Sequence, residues 1–129
     1  MIDIRELRIG NRIFDSLRKK EIVVTGIISV RGQQFIYFET IGNAHLDSQD
    51  CEPIQLDEFV LDSYGFLKPG GYYVYASHRS PYWINYEKYK GWFIRKDNAY
   101  INSKPIVNIH DLQNVYFDLA GIELVQEIK

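Results

Sequence analysis

Ile22-Val23-Val24-Thr25-Gly26-Ile27-Ile28-Ser29-Val30-Arg31-Gly32-Gln33-Gln34-Phe35-Ile36-Tyr37-Phe38 is the stretch on which the fold turns. Ile22, Val24, Gly26, Ile28 and Val30 alternate with Val23, Thr25, Ile27 and Ser29. Both sets are apolar or β-branched, so the run reads as a strand covered on both faces, central in its sheet. Arg31-Gly32-Gln33 is turn chemistry, and Phe35–Phe38 supplies the returning strand of a hairpin. Gly26 lies mid-strand, where a glycine marks a bend of the kind small barrels use. Upstream, Leu7–Phe14 reads as a short strand interrupted by Gly10-Asn11. This opening has the pattern of an SH3-like, small antiparallel barrel-like sheet.

Downstream, residues 39–55 are polar and read as irregular. Asp57–Tyr64 reads as a short helix with Asp57 as its N-cap and Gly65 ending it. Leu56, Phe59, Val60 and Tyr64 fall on one side at helical spacing and are the face expected to be buried. After Pro69-Gly70-Gly71, the segments 72–76, 82–86, 91–95 and 99–102 read as antiparallel strands. A closing helix is expected over 109–120. Its apolar stripe is Ile109, Leu112, Tyr116 and Leu119, with Asn108 at the N-cap and Gly121 past the end. The fold class is therefore α+β. One domain spans residues 1–129, with a barrel-like β part and short helix over 1–66 and an aromatic sheet packed by the C-terminal helix over 72–129. Whether the two sheets are continuous stays open.

Charge and aromatic content single out one segment. The chain has 129 residues and a net charge of -2. Residues 1–71 carry 8 basic and 11 acidic side chains, and residues 97–129 carry 2 and 5. Between them, residues 72–96 carry five basic side chains against Glu87 alone. The same segment holds Tyr72, Tyr73, Tyr75, Tyr82, Trp83, Tyr86, Tyr89, Trp92 and Phe93, nine of the 19 aromatics. Interleaved rings and cations suit stacking on bases and pairing with phosphates. They equally suit protein recognition, where Tyr, Trp and Arg dominate. The plain alternative is that the rings fill the core of a small sheet. The proposed contact residues are Tyr73, Tyr75, His78, Arg79, Tyr82, Trp83, Lys88 and Lys90, with the 77–81 loop as an exposed tip. At least three of the Tyr and Trp side chains from Tyr72 to Phe93 are expected to be exposed on one face.

Other chemistry finds little support. Gly32 to Leu67 contains no Lys or Arg. His45, Asp47, Asp50, Cys51 and Glu52 cluster there, but their spacing matches no zinc or EF-hand pattern, so a solvated loop is the simpler reading and no metal or other cofactor is expected. Cys51 is the single cysteine and His45, His78 and His110 the histidines. A small enzyme centred on Cys51 or His110 is an alternative without a flanking nucleophile motif, and His110 reads as a helix-packing or capping residue. Gln113 and Asn114 are polar on a mostly apolar helix, either bonding the sheet or facing a partner. One cysteine forms no intrachain disulfide, Met1–Glu6 has no apolar run of signal-peptide length, and no stretch approaches a membrane span. A cytoplasmic protein, in a reducing compartment and with no membrane partner, is expected. The oligomeric state is not fixed by the sequence.

The stretch from His110 to Leu124 (His110-Asp111-Leu112-Gln113-Asn114-Val115-Tyr116-Phe117-Asp118-Leu119-Ala120-Gly121-Ile122-Glu123-Leu124) resembles the H-x-L-Q-N-x-Y-F-x-L-x-G-x-E-L ending of small proteins found in phages, prophages and mobile elements of Bacteroidota. Leu7-Arg8-Ile9-Gly10-Asn11 is similar to their opening, and Pro53-Ile54-Gln55-Leu56-Asp57-Glu58 with Gly65-Phe66 to their centre. The resemblance implies an origin rather than a mechanism. It points to a non-enzymatic accessory protein that binds a host or phage macromolecule in a bacterial host, with host-defence inhibition of the anti-CRISPR kind as one form. A protein partner and, as the alternative, single-stranded DNA or RNA bound by segment 72–96 are the two partner classes.

Overall fold

The computed structural model describes residues 2–38, 44–47, 50–68, 70–75, 81–97, 99–102 and 104–125, with backbone alone for 4 and 44–47. The architecture is α+β, with three antiparallel sheets and two α-helices. The strands are β1 (Arg12–Asp15), β2 (Lys20–Val30), β3 (Gln33–Phe38), β4 (Ala44–Asp47), β5 (Cys51–Glu52), β6 (Phe66–Leu67), β7 (Val74–Tyr75), β8 (Tyr82–Glu87), β9 (Gly91–Lys96) and β10 (Ala99–Tyr100). The helices are α1 (Glu58–Ser63) and α2 (Ile109–Ala120). No helix among the described residues is long and apolar enough to cross a membrane.

The chain forms two compact units. The first comprises Met1–Ile54 and Asn108–Asn114, the second Gln55–Val107 and Val115–Lys129. The central helix therefore belongs with the aromatic sheet rather than with the N-terminal strands, as the sequence had grouped it. The division falls within α2.

In the first unit the sheet runs β4-β3-β2-β1-β5. The expected irregular stretch 39–55 thus contains two strands, β4 and β5. They are too short to show alternation, and their pairing with β3 and β1 decides their conformation. β2 is central, as its composition requires, but it is covered on one face alone and only over its first half, with Val23 and Thr25 exposed. Ile22 and Val24 are buried, whereas Ile27, Ile28 and Val30 are exposed. β1 pairs with β2 no further than Val23, so the distal hairpin lacks a neighbour on that side among the described residues. The ladder shifts register between Val24 and Gly26, an irregularity of the kind a mid-strand glycine marks. Ile2, Leu7, Ile13, Ile22, Val24, Ile36, Phe38 and Cys51 form the core.

The N-terminal half of α2 is fixed to this sheet by its side-chain amides. Gln113 Oε1 accepts from the Arg12 N–H at 2.9 Å, and Gln113 Nε2 donates to the Gly10 carbonyl at 3.1 Å. Asn114 Oδ1 accepts from Asn11 Nδ2 at 2.8 Å and Arg8 Nε at 3.1 Å, while its Nδ2 donates to the Glu6 carbonyl at 2.7 Å. Gln113 and Asn11 are buried, and these bonds satisfy their side-chain amides. Asp15 is buried too. Its Oδ1 accepts from the Leu17 and Arg18 N–H groups at 2.9 and 3.1 Å, and Arg18 Nη1 lies 3.0 Å from Oδ2. Burial alone would raise its carboxyl pKa, but the bonds from Arg18 and Leu17 outweigh burial and hold it below the usual value.

In the second unit, β8, β9 and β10 form one sheet in the order β10-β9-β8. The expected strand at 72–76 is shorter and pairs elsewhere. β7 joins β6 in a separate two-stranded sheet, and Tyr73, just before it, makes an isolated bridge to Ile84 of β8. Asp57 caps α1 as expected, its Oδ1 accepting from the Val60 N–H at 2.8 Å. Gly65 follows at φ 84°, in the left-handed region that glycine enters without cost. The buried side of α1 departs from the expectation at Phe59, while Leu56 is buried and Val60 half-buried as their spacing placed them. Leu61 and Tyr64 are buried and Phe59 is 87% exposed, because a helix of six residues buries one narrow stripe. α2 occupies the expected residues, with Ile109, Leu112 and Tyr116 buried and Leu119 only partly so.

Among the described residues, four non-glycine residues have positive φ: Lys19, Arg31, Tyr89 and Asp97. Each sits in the turn of a hairpin: β1–β2, β2–β3, β8–β9 and β9–β10 respectively.

Two outcomes follow. Gln113→Leu removes the partners of the part-buried Arg12 N–H and Gly10 carbonyl, at about 0.5–1.5 kcal/mol for each hydrogen bond lost. Urea unfolding will show a lower midpoint with the slope unchanged. Asp15→Asn costs about 1.5–3 kcal/mol at neutral pH. The native carboxyl titrates below its unfolded value, so its contribution is present above about pH 4 and is lost as pH falls through the native pKa. The acid limb of the stability curve will therefore be shallower in Asp15→Asn than in the parent chain.

Candidate nucleic-acid or protein interface

β8 and β9 pair with Tyr82 opposite Lys96, Trp83 opposite Arg95, Ile84 opposite Ile94, Asn85 opposite Phe93 and Tyr86 opposite Trp92. Side chains alternate across a strand, so this register sorts the aromatics into two sets. Ile84, Ile94, Tyr82, Tyr86 and Trp92 share one face. Ile84 and Ile94 are fully buried there, and the Tyr82 ring meets Tyr116 of α2 at 6.5 Å. Tyr116 also receives Phe66 and Tyr75, each at 6.1 Å, making the aromatic centre of the unit.

The opposite face presents Trp83, Phe93 and Arg95, joined by Tyr100 of β10, which pairs with Arg95. Arg95 lies 4.8 Å from the Trp83 ring centroid and 4.7 Å from that of Tyr100. Tyr72 packs on Trp83 at 4.8 Å and Phe93 on Tyr100 at 5.2 Å. The Tyr100 hydroxyl donates to the Glu87 carboxylate. The row Tyr72–Trp83–Arg95–Tyr100 is thus continuous, with Tyr72 and Tyr100 exposed and Trp83 and Arg95 half-buried. A guanidinium held between two rings is attracted by both quadrupoles and is preoriented for a planar partner.

At the end of the hairpin, Lys88-Tyr89-Lys90 forms the turn, and all three side chains are exposed. Tyr89 is 91% exposed, with Lys88 Nζ 5.2 Å from its ring centroid. Gly91 is required next to it. Its φ is 113°, and a Cβ there would come within 2.8 Å of the Pro105 Cβ.

Of the contact residues read from the sequence, Trp83, Lys88 and Lys90 lie on this surface. Tyr82 is half-buried on the other face, with Lys96 Nζ 6.0 Å from its ring centroid. Tyr73 and Tyr75 are buried and offer no contact surface. Tyr75 is taken up by Phe66 and Tyr116, while Tyr73 packs on Trp92 at 5.8 Å and its hydroxyl bonds Glu58. His78 and Arg79, with most of the 77–81 loop, lie outside the described residues. Tyr72, Tyr86 and Tyr89 are the exposed rings of the segment, but Tyr86 is on the core-facing side of the sheet, so they do not share one face. Arg95 and Tyr100 were missed. Their signal was strand parity, since Trp83, Arg95 and Tyr100 align once the hairpin register is known.

Cys51 is fully buried in the core of the first unit. His110 is fully buried on α2, with Nε2 3.6 Å from Glu6 Oε2 and 3.5 Å from Asp111 Oδ1. The side chains of His45 and Asp47 lie outside the described residues, and no metal-binding group of three His, Cys, Asp or Glu occurs among those described. No protein-family model, curated protein or solved structure matches this chain.

Burial, then the charge and hydrogen bond of Glu58 with Asp62 beyond, push the Tyr73 phenol above its ordinary pKa. The native state therefore holds this proton longer than the unfolded chain, and stability falls as pH rises through about 10. Spectrophotometric titration will show a late-ionising phenol that Tyr73→Phe lacks.

Proposed function

We propose that this chain is a non-enzymatic binding module of the phage- or mobile-element accessory type. Its partner is a macromolecule in the cytoplasm of a bacterial host, a protein in the first place. Contact is made through Tyr72, Trp83, Arg95 and Tyr100, with Lys88 and Lys90 at the hairpin tip. Host-defence inhibition of the anti-CRISPR kind is one form of such binding. The N-terminal sheet, SH3-like in this reading, serves as scaffold.

The observation that carries the proposal is the stacking of Arg95 between Trp83 and Tyr100. Trp, Tyr and Arg are the residue types in which interface energy concentrates. Here they are already held by one another, so binding loses little side-chain freedom. The same stacked guanidinium, beside the exposed lysines of the tip, favours single-stranded nucleic acid as a second reading.

The test is affinity capture from host lysate with and without nuclease, using the parent chain and a Trp83→Ala/Arg95→Ala variant whose fold is checked by circular dichroism. A partner captured in both lysates by the parent and lost by the variant supports protein recognition. Loss on nuclease treatment, together with binding to single-stranded oligonucleotides that weakens steeply with salt, supports the second reading. Capture unchanged by the double substitution removes this face from the site.

A further inference from the structure

On the core-facing side of β8 and β9, toward the hairpin end, Tyr86 and Trp92 stand as a pair with ring centroids 5.1 Å apart and planes inclined by 57°. Tyr86 is 57% exposed and Trp92 is 7% exposed. Together with Gln55, Leu56, Asp57 and Glu58 they line a cleft of about 300 Å³. We propose that this cleft binds an organic cation, an alkylammonium or guanidinium head group.

The argument starts from the rings. Two aromatic side chains meeting at an angle form a wedge whose negative faces attract a cation of low hydration. Carboxylates on the adjoining wall add the charge that desolvation of the cation requires. Asp57 and Glu58 supply them on the strand-to-helix entry. Lys68 pairs with Glu58 at 3.8 Å, so Asp57 is the carboxylate that contributes most charge toward a ligand.

The molecule also contains an internal precedent. Lys68 Nζ lies 3.8 Å from Glu58 Oε1 and 5.4 Å from the Tyr73 ring centroid, and Tyr73 in turn packs on Trp92. One ammonium is thus already held by a ring and a carboxylate at the neighbouring position. Other ligand classes fit less well. Phosphates would face two carboxylates. A bare metal ion would find neither a histidine nor a third carboxylate among the lining residues. A purely apolar ligand would leave Asp57 and Glu58 at its edge without benefit. This site lies on the opposite face from the Arg95 row and does not depend on that reading.

The test uses the full-length, nitrogen-15-labelled chain at constant ionic strength. n-Butylammonium, neutral n-butanol and a capped lysine tripeptide are titrated in turn while the two indole N–H signals are followed. The Trp92 signal will move saturably with n-butylammonium and not with n-butanol. Trp83, on the other face, is the internal control and will stay. Tyr86→Ala will weaken binding about two- to thirtyfold, the range of one cation–π contact. Asp57→Asn removes the charge but keeps a competent helix cap, so it also weakens binding while the protein stays folded. Tighter binding of the lysine peptide assigns the site to a side chain of a partner protein, whereas no gain over n-butylammonium assigns it to a free amine. The absence of a saturable Trp92 shift with both cations, an equal shift with n-butanol, or unaltered binding in Asp57→Asn overturns the proposal.

Discussion

The amide pair Gln113 and Asn114 is the constraint on which the first unit depends. Two adjacent side chains at the middle of α2 engage Glu6, Arg8, Gly10, Asn11 and Arg12, which precede or begin β1. The regular ladder begins at Arg12; before it, the Gly10 N–H and the Asn11 carbonyl pair with Val24, and the helix serves the Glu6 and Gly10 carbonyls. Apolar packing alone would attach a helix to a sheet with some freedom to slide, whereas these bonds fix one register. Gln113 has one donor and one acceptor used on neighbouring residues of the same strand entry, so a shift by one residue would break both. The arrangement also explains why a polar pair is retained on a helix otherwise selected for burial. The two outer sequence blocks, around Leu7–Asn11 and His110–Asn114, meet at this point.

Much of the fold was legible because local chemistry agreed with the tertiary outcome. α2, the Asp57 cap, the Gly65 ending and the β2–β3 hairpin each have turn or cap residues at the required offsets. β4 and β5 were not legible. Neither is long enough to carry a period, and both form because β3 and β1 offer unpaired edges. The misplacing of Phe59 on the buried side of α1 has a similar origin. Six residues make fewer than two turns, and Phe59 satisfies the same spacing as residues that are buried. Gln113 and Asn114 were recognised as unusual, but whether an amide on a helix meets a sheet or a partner is not a local property.

The aromatic surplus divides in two, and this division was hidden until the register of β8 against β9 was known. One set (Phe66, Tyr73, Tyr75, Tyr82, Trp92 and Tyr116) builds the interior of the second unit around Ile84 and Ile94. The other (Tyr72, Trp83, Phe93 and Tyr100) forms a row on the reverse face with Arg95. Composition counts both sets alike. Tyr73 and Tyr75 were placed on the contact surface because they sit among basic residues in sequence, yet β7 pairs with β6 rather than extending the three-stranded sheet. The Tyr73 hydroxyl bonds Glu58, which is how tyrosine enters an interior without leaving a polar group unpaired.

The four hairpin turns described above have a kinetic side. Lys19, Arg31, Tyr89 and Asp97 each adopt a left-handed backbone that costs an ordinary L-residue about 1–2 kcal/mol. A turn of this kind closes reluctantly while its strands are still unpaired. The free energy that holds it must come from ladder bonds and burial gained later, so the hairpins gain little from their own loops in starting the chain toward its native state. Folding then rests more heavily on contacts distant in sequence, such as those that bring α2 to the strand entry. In exchange, the tips carry charged and aromatic side chains into solvent at places where glycine would have carried none.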